Sequence, residues 1–203
     1  MTEITLDVNG REERLQANPD DTLLDVLRDQ LGLNAAKDGC QPEGYCGCCT
    51  VIVDGKARVA CSQAAERFEG KSITTLEGLP VAERDAFAHA FAATGASQCG
   101  FCSPGIVVKA SELLHKKSRP GRDEVARALA GNLCRCTGYV KIIDAIQMAG
   151  AILEGEQPPQ LDFSGRLGSR TPKYEAFEMA LGHKPFIHDI TMDGMLHGAL
   201  CFS

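Results

Sequence analysis

GCQPEGYCGCC, residues Gly39–Cys49, packs four of the chain's ten cysteines into eleven positions and sets three glycines among them. A backbone left this free to bend, carrying this many thiols, is built to wrap something that thiols bind. The ten cysteines fall into two groups and a single residue. Cys40, Cys46, Cys48, Cys49 and Cys61 make the first group, Cys99, Cys102, Cys134 and Cys136 the second, and Cys201 stands alone. Cys48 and Cys49 are adjacent, and Cys134 and Cys136 are one residue apart, which makes them awkward disulfide partners. The opening MTEITLDVNG has neither a basic n-region nor an apolar h-region, so no secretory signal is expected. A cytoplasmic setting, where thiols stay reduced, favours metal ligation over disulfides.

The choice of metal follows from spacing. Structural zinc prefers cysteine pairs two to four residues apart and often recruits histidine. CRC, Cys134–Cys136, fits that poorly, and none of His89, His115, His183, His188 and His197 lies in either group. Plant-type [2Fe–2S] sites use a C-x4-C-x2-C run with a distant fourth cysteine, which is the better fit. Gly39, Gly44 and Gly47 can take positive φ at little cost, letting the loop turn its N–H groups towards cluster sulfurs.

Outward from the loop, the chain reads as α+β. EITLDV alternates with a strand period, Asn9-Gly10 is a hairpin turn, and REERLQA returns as a second strand. DDTLLDVLRDQLGL reads as a helix capped by Asp21 or Thr22, with Leu23, Leu24, Leu27 and Leu31 on one face and Gly32 at its end. TVIVDGKARVAC is a hairpin turning at Asp54-Gly55, and SITTLEGL supplies a closing strand. Together these predict a β-grasp, plant-type ferredoxin-like domain over residues 1–80.

From Glu83 the period becomes helical. RDAFAHAFAATG, SPGIVVKASELLHKKS, GRDEVARALAGNLC and YVKIIDAIQMAGAIL predict a four-helix bundle over residues 81–156, with the second cysteine group at helix ends. Ser103-Pro104 starts one helix just after Cys102, and Asp123 is expected to cap another that finishes at Cys134. A linker, Gln157–Gln160, and an extended C-terminal tail fill residues 157–203. The net charge of −6 and a pI near 5.4 exclude a nucleic-acid surface, and no apolar stretch is long enough to span a bilayer.

The motifs KDGC, EGYCGCCTVIVDG, QCGFCSPG and NLCRCTGY, over residues 3–155, closely resemble the iron–sulfur portion of molybdenum hydroxylases, the xanthine oxidase and aldehyde oxidoreductase family. The resemblance implies that Cys40, Cys46, Cys49 and Cys61 hold one [2Fe–2S] cluster and Cys99, Cys102, Cys134 and Cys136 a second. It implies that Gln98 and Cys136 contact the pterin of a molybdopterin-type molybdenum cofactor, with the helical-domain cluster nearer that pterin. It implies an electron-transfer subunit of an oxidoreductase that hydroxylates substrate with oxygen from water, the substrate pocket lying on another chain. The implied partners are a large molybdenum-cofactor-binding subunit and an FAD-binding subunit or other acceptor.

Two departures stand out. Gln41–Tyr45 put five residues between Cys40 and Cys46 where the family has four, and Cys48 occupies a place that is commonly a small alanine. Cys48 is read as a small bland residue, the alternative being a shifted ligand register. A free two-cluster carrier and a zinc-binding interaction module are the competing functions. The tail stretch Phe186–His197, F-x-x-D-I-x-x-x-G-M-L-H, resembles the start of the family's large subunit. Residues from about Leu161 onward are therefore expected to fold only against another polypeptide, with a strand over Met195–Phe202.

Overall fold

β1 (Thr2–Val8) and β2 (Arg11–Ala17) form the expected antiparallel hairpin, in register from Thr2↔Ala17 to Val8↔Arg11. Asn9 and Gly10, at φ 55° and 79°, make the tight left-handed turn that this two-residue connection needs. The computed structural model describes residues 1–196 and 198–201. Period-two alternation sends Ile4, Leu6 and Val8 from β1, and Leu15 and Ala17 from β2, into the core.

The helical turn α1 (Leu23–Asp25) starts at Thr22, which settles the choice of cap. Thr22 Oγ1 accepts from the Asp25 N–H at 3.3 Å, and Asp25 Oδ2 accepts from the Thr22 N–H at 2.8 Å. The helix then widens into a π-helical segment, Val26–Gln30, rather than continuing as a regular α-helix. Widening lets the crowded apolar run turn Leu23, Leu24, Val26 and Leu27 all inward, leaving Leu31 half-buried.

β3 (Thr50–Val53) and β4 (Lys56–Val59) pair across the Asp54–Gly55 turn, and β5 (Ser72–Thr74) closes the sheet. β5 lies parallel to β1 and antiparallel to β3, giving a five-stranded order β2-β1-β5-β3-β4, which is the β-grasp arrangement.

The helical half contains α2 (Val81–Thr94), α3 (Ser103–Lys116), α4 (Arg122–Ala128) and α5 (Tyr139–Leu153). Phe87, Phe91, Ile106, Val107, Ile142 and Ile146 fill its core, and burying each phenylalanine contributes roughly 1.5–3 kcal/mol. Two expectations about α4 are corrected. The extended backbone of Gly121, whose N–H donates to Glu124 Oε2 at 2.7 Å, starts the helix, so Asp123 lies inside the first turn. The helix ends at Ala128, well short of Cys134, and turns over residues 129–132 hand the chain to the second cysteine group. No helix among the described residues is long and apolar enough to cross a membrane.

The two halves interlock. Ile52 of β3 and Leu76 and Leu79 of the connection pack into the helical core. Gly105, in the first turn of α3, sits so close to the first cysteine loop that a Cβ there would stand 2.3 Å from the Gly47 carbonyl oxygen.

Part of the tail packs on this chain. α6 (Ala176–Ala180) buries Ala176, Met179 and Ala180 against this same chain, and a 3-10 turn, Ile187–Asp189, docks Asp189 onto Arg28 and Lys37. Residues 176–189 thus have contacts within this chain, Asp189 meeting buried cations of its own N-terminal half. The expected strand is absent among the described residues of 195–201; His197, Phe202 and Ser203 lie outside them.

Candidate metal centres

The first group sits where the loop Gly39–Cys49 enters β3, with Cys61 delivered from the far end of β4. Positive φ at Gln41, Gly44 and Gly47 lets this loop curl and absorb its extra residue. Cys46, Cys49 and Cys61 are buried and Cys40 half-buried. Among these thiols Cys40 meets Cys46 and Cys49 meets Cys61, and Cys46 also meets the neighbouring Cys48. Burial works to raise the Cys40 thiol, but N–H groups of Cys46, Tyr45 and Gly44 turn towards it and hold it below the ordinary value. Burial, reinforced by the neighbouring Cys49, pushes Cys61 up to about 12. Thiols held protonated by apolar surroundings release those protons once a cation supplies the missing charge.

The second group joins the loop between α2 and α3, carrying Cys99 and Cys102, to the loop between α4 and α5, carrying Cys134 and Cys136. It pairs in the same way. Cys99 Sγ and Cys136 Sγ are 3.6 Å apart, and Cys102 meets Cys134. A tetrahedral metal with thiolates at about 2.3 Å holds two of them ~3.8 Å apart, so the Cys99–Cys136 pair has the spacing of one metal's two ligands. The Gly138 N–H donates to Cys134 Sγ at 3.5 Å. Tyr139 braces the same loop, its hydroxyl accepting from the Cys134 N–H at 2.7 Å and donating to the Asn132 carbonyl at 3.1 Å.

This donor set fits a [2Fe–2S] cluster in each half. Each iron takes two thiolates, and N–H groups around the sulfurs are the expected tuning partners. Among the described residues no three of His, Cys, Asp and Glu converge as a single-ion site needs. Three of the described histidines make other contacts: His89 with the Pro159 carbonyl, His115 with Glu83 and His188 with Asp189.

The two groups face one another across a cavity of about 130 Å³ lined by Gly39, Cys46, Cys48, Cys99, Phe101, Cys102, Leu133, Cys134, Arg135 and Cys136. The Leu133 N–H donates to the Cys46 carbonyl at 2.8 Å, and Asn132 Nδ2 donates to the Gly47 carbonyl at 3.1 Å. Cys48 is buried in the wall of this cavity, where its thiol meets that of Cys46 and lies near Cys49 and Cys102. Burial pushes its thiol far above the ordinary value. Gln98 is exposed, and its Nε2 donates to the Cys136 carbonyl at 3.1 Å, bringing the two residues together at the open side of the second group. The Lys173 amino group reaches the Gln98 carbonyl from the tail. Cys201 is exposed, far along the sequence from either group.

The Arg28–Lys37–Asp189 contact was not legible beforehand. Its one signal is a lysine just before the cysteine loop, and its partner lies 152 positions away.

Comparison with known proteins agrees with this geometry. Residues 6–75 match the 2Fe-2S iron-sulfur cluster binding domain family, and residues 75–147 match the [2Fe-2S] binding domain family. The chain is 41% identical over 147 residues to the nicotinate dehydrogenase small FeS subunit of Eubacterium barkeri, covering 72% of this chain and 93% of that one. It is 38% identical over 213 residues to the aldehyde oxidoreductase of Megalodesulfovibrio gigas, covering 98% of this chain but only 23% of that protein. The crystal structure of the aldehyde oxidoreductase from Desulfovibrio desulfuricans superposes with a TM-score of 0.84 at 42% identity, over 93% of this chain and 22% of that one. Two [2Fe–2S] domains in tandem, with relatives that are themselves iron–sulfur subunits, make this an electron-transfer component. The chain belongs to the iron–sulfur subunits and domains of the molybdenum hydroxylase family, that of xanthine oxidase and aldehyde oxidoreductase.

Proposed function

We propose that Cys40, Cys46, Cys49 and Cys61 hold one [2Fe–2S] cluster and Cys99, Cys102, Cys134 and Cys136 the other. The observation that carries this is the approach of Cys99 Sγ to Cys136 Sγ at 3.6 Å beside the Cys102–Cys134 contact, with Cys40 meeting Cys46 and Cys49 meeting Cys61 in the other half. Such clusters, when bound, accept and pass on one electron at a time. The chain's own residues do the rest. Burial of Cys46, Cys49, Cys61 and Cys134 keeps water away, and the N–H groups of Gly44, Tyr45 and Gly138 stabilise thiolate charge.

The second group reaches the surface at Cys99, with Gln98 and Cys136 beside it. That exposure supports Gln98 and Cys136 as the contact to a molybdopterin-type cofactor on a large molybdenum-binding subunit. Residues 1–80 and 81–156 are then the two cluster domains, and the rest of the tail beyond residue 156 packs on that subunit. The substrate pocket, for an aldehyde, a purine or an N-heterocycle, belongs to the partner, and an FAD-bearing chain is the proposed acceptor. Cysteines kept as thiols for metal ligation support residence in the reducing cytoplasm. Iron analysis tests the core of this reading. The purified chain should hold four irons, seen as two distinct reduced-cluster signals, and a count of two would remove one ligand set.

A further inference from the structure

Asp189 is nearly sealed from water, its side chain 4% exposed, and it takes both cations near it. Its Oδ2 accepts from Lys37 Nζ at 2.6 Å and its Oδ1 from Arg28 Nη2 at 2.7 Å. Lys37 is 1% exposed, among the most buried side chains described, and among the described residues only this carboxylate hydrogen-bonds its ammonium group. Phe186, three residues earlier, lays its ring 5.3 Å from Lys37 Nζ and meets Phe101 edge-on at 5.0 Å. The turn is closed by its own backbone. The Phe186 N–H donates to Asp189 Oδ2 at 2.8 Å, and the Asp189 N–H to the Phe186 carbonyl at 2.9 Å. Ile187, between them, is 90% exposed. The body of the protein thus touches the first and fourth positions of the turn through their side chains; it also meets the third, His188, whose ring lies 5.5 Å from Phe101 and whose carbonyl accepts from Arg28 Nη2 at 3.4 Å, while the second faces solvent.

The contacts beneath the turn belong to both cysteine loops. The Lys37 N–H donates to the Cys48 carbonyl at 3.1 Å. Phe101 lies between Cys99 and Cys102, and a Cβ on Gly39 would stand 3.2 Å from its ring. We propose that Arg28, Lys37 and Phe101 form a socket that reads a Phe-x-x-Asp turn, that the chain's own Phe186–Asp189 is its occupant, and that this plug clamps the two cysteine loops together. Recognition has a charged element, one carboxylate shared by two buried cations, and a shape element, one ring against another. Both sit on a segment of four residues, so the turn carries its own binding determinants and is separable from the rest of the tail.

The test uses the full chain. A fluorescein-labelled peptide of residues 183–191 is titrated against wild type and against Asp189→Ala, whose own plug has lost its anchor. Fluorescence anisotropy should show saturable binding to Asp189→Ala at least tenfold tighter than to wild type, where the socket is filled. A peptide carrying asparagine at position 189 should bind at least tenfold more weakly than the native peptide. Equal binding to both proteins, or equal binding of both peptides, overturns the proposal. Wild type alone provides a second measurement, independent of whether Asp189→Ala folds. The amides of Phe186 and Asp189 should exchange with deuterium at least tenfold more slowly than those of the exposed Arg170 and Thr171, and equal exchange would also overturn it.

Discussion

Gly47 shows how much of this architecture rests on single atoms. It adopts φ 68°, and a Cβ on it would stand 2.3 Å from the Gly131 carbonyl oxygen and 2.7 Å from Asn132 Nδ2. Both neighbours belong to the helical half, so any side chain here drives the first cysteine loop away from the second. Gly47→Ala should cost about 1–3 kcal/mol from overpacking, with a further contribution from the disfavoured φ, and lower the melting temperature by several degrees. Thermal denaturation against wild type checks this. Cys48 gives the opposite expectation. Its sulfur lies in the cavity wall and meets Cys46, a thiol that already faces Cys40, so Cys48→Ala should keep all the iron, whereas Cys49→Ala should lose the first centre. Bleaching of Cys48→Ala would mean that the ligand register is shifted. Spacing in the sequence showed two cysteine groups, with Cys46-x2-Cys49 and Cys99-x2-Cys102 as local patterns, and the family resemblance supplied the ligand sets. It gave no sign that Cys48 lies between the two groups, because that depends on Gly105 and Phe101 closing in from the other half.

At the scale of elements, the strands and helices with a clear period were legible, and the irregular ones were not. β1, β2 and α5 carry their period plainly. The end of α4 at Ala128 did not show, because ALAGNLC still reads as helical while the chain in fact turns to deliver Cys134. The tail turn was invisible for a different reason. Phe186–Asp189 has no period, and its partners Arg28 and Lys37 are more than 150 positions away. Its chemistry predicts an acid response. Burial alone would raise the Asp189 carboxyl, yet Lys37, the Phe186 N–H and Arg28 hold it down to about 2. A folded pKa below the unfolded one gives stability that is present above the unfolded value of 3.8 and lost as pH falls through the folded one. The shift corresponds to roughly 2 kcal/mol. Between about pH 4 and pH 2 the tail should come off the body, seen as pepsin cleavage near Phe186 appearing at pH 2 and not at pH 4. A tail equally resistant at both would contradict the assignment.

The whole molecule holds two cores rather than one. Cys49 and Cys61 pack among Leu6, Leu24, Val51 and Ile73 in the β-grasp half, whereas Cys134 packs with Phe91, Ile106 and Ile142 in the helical half. The cysteine groups are therefore embedded in separate hydrophobic clusters, joined by backbone bonds such as Leu133 N–H to the Cys46 carbonyl. A side-chain deletion in one group leaves that link intact, since it runs through a main-chain oxygen. Cys46→Ala removes one thiol of the Cys40–Cys46 pair and nothing from the second group. A [2Fe–2S] cluster left with three thiolates around its two irons is incomplete on one iron, and the first site should fail to hold it. The variant should then contain two irons in place of four and keep one reduced-cluster signal, that of the helical half. Its Gln98–Cys136 contact should be undisturbed, because neither residue touches the β-grasp core. Loss of all iron from Cys46→Ala would show that the two halves cannot load independently, and the two-core reading would fall with it.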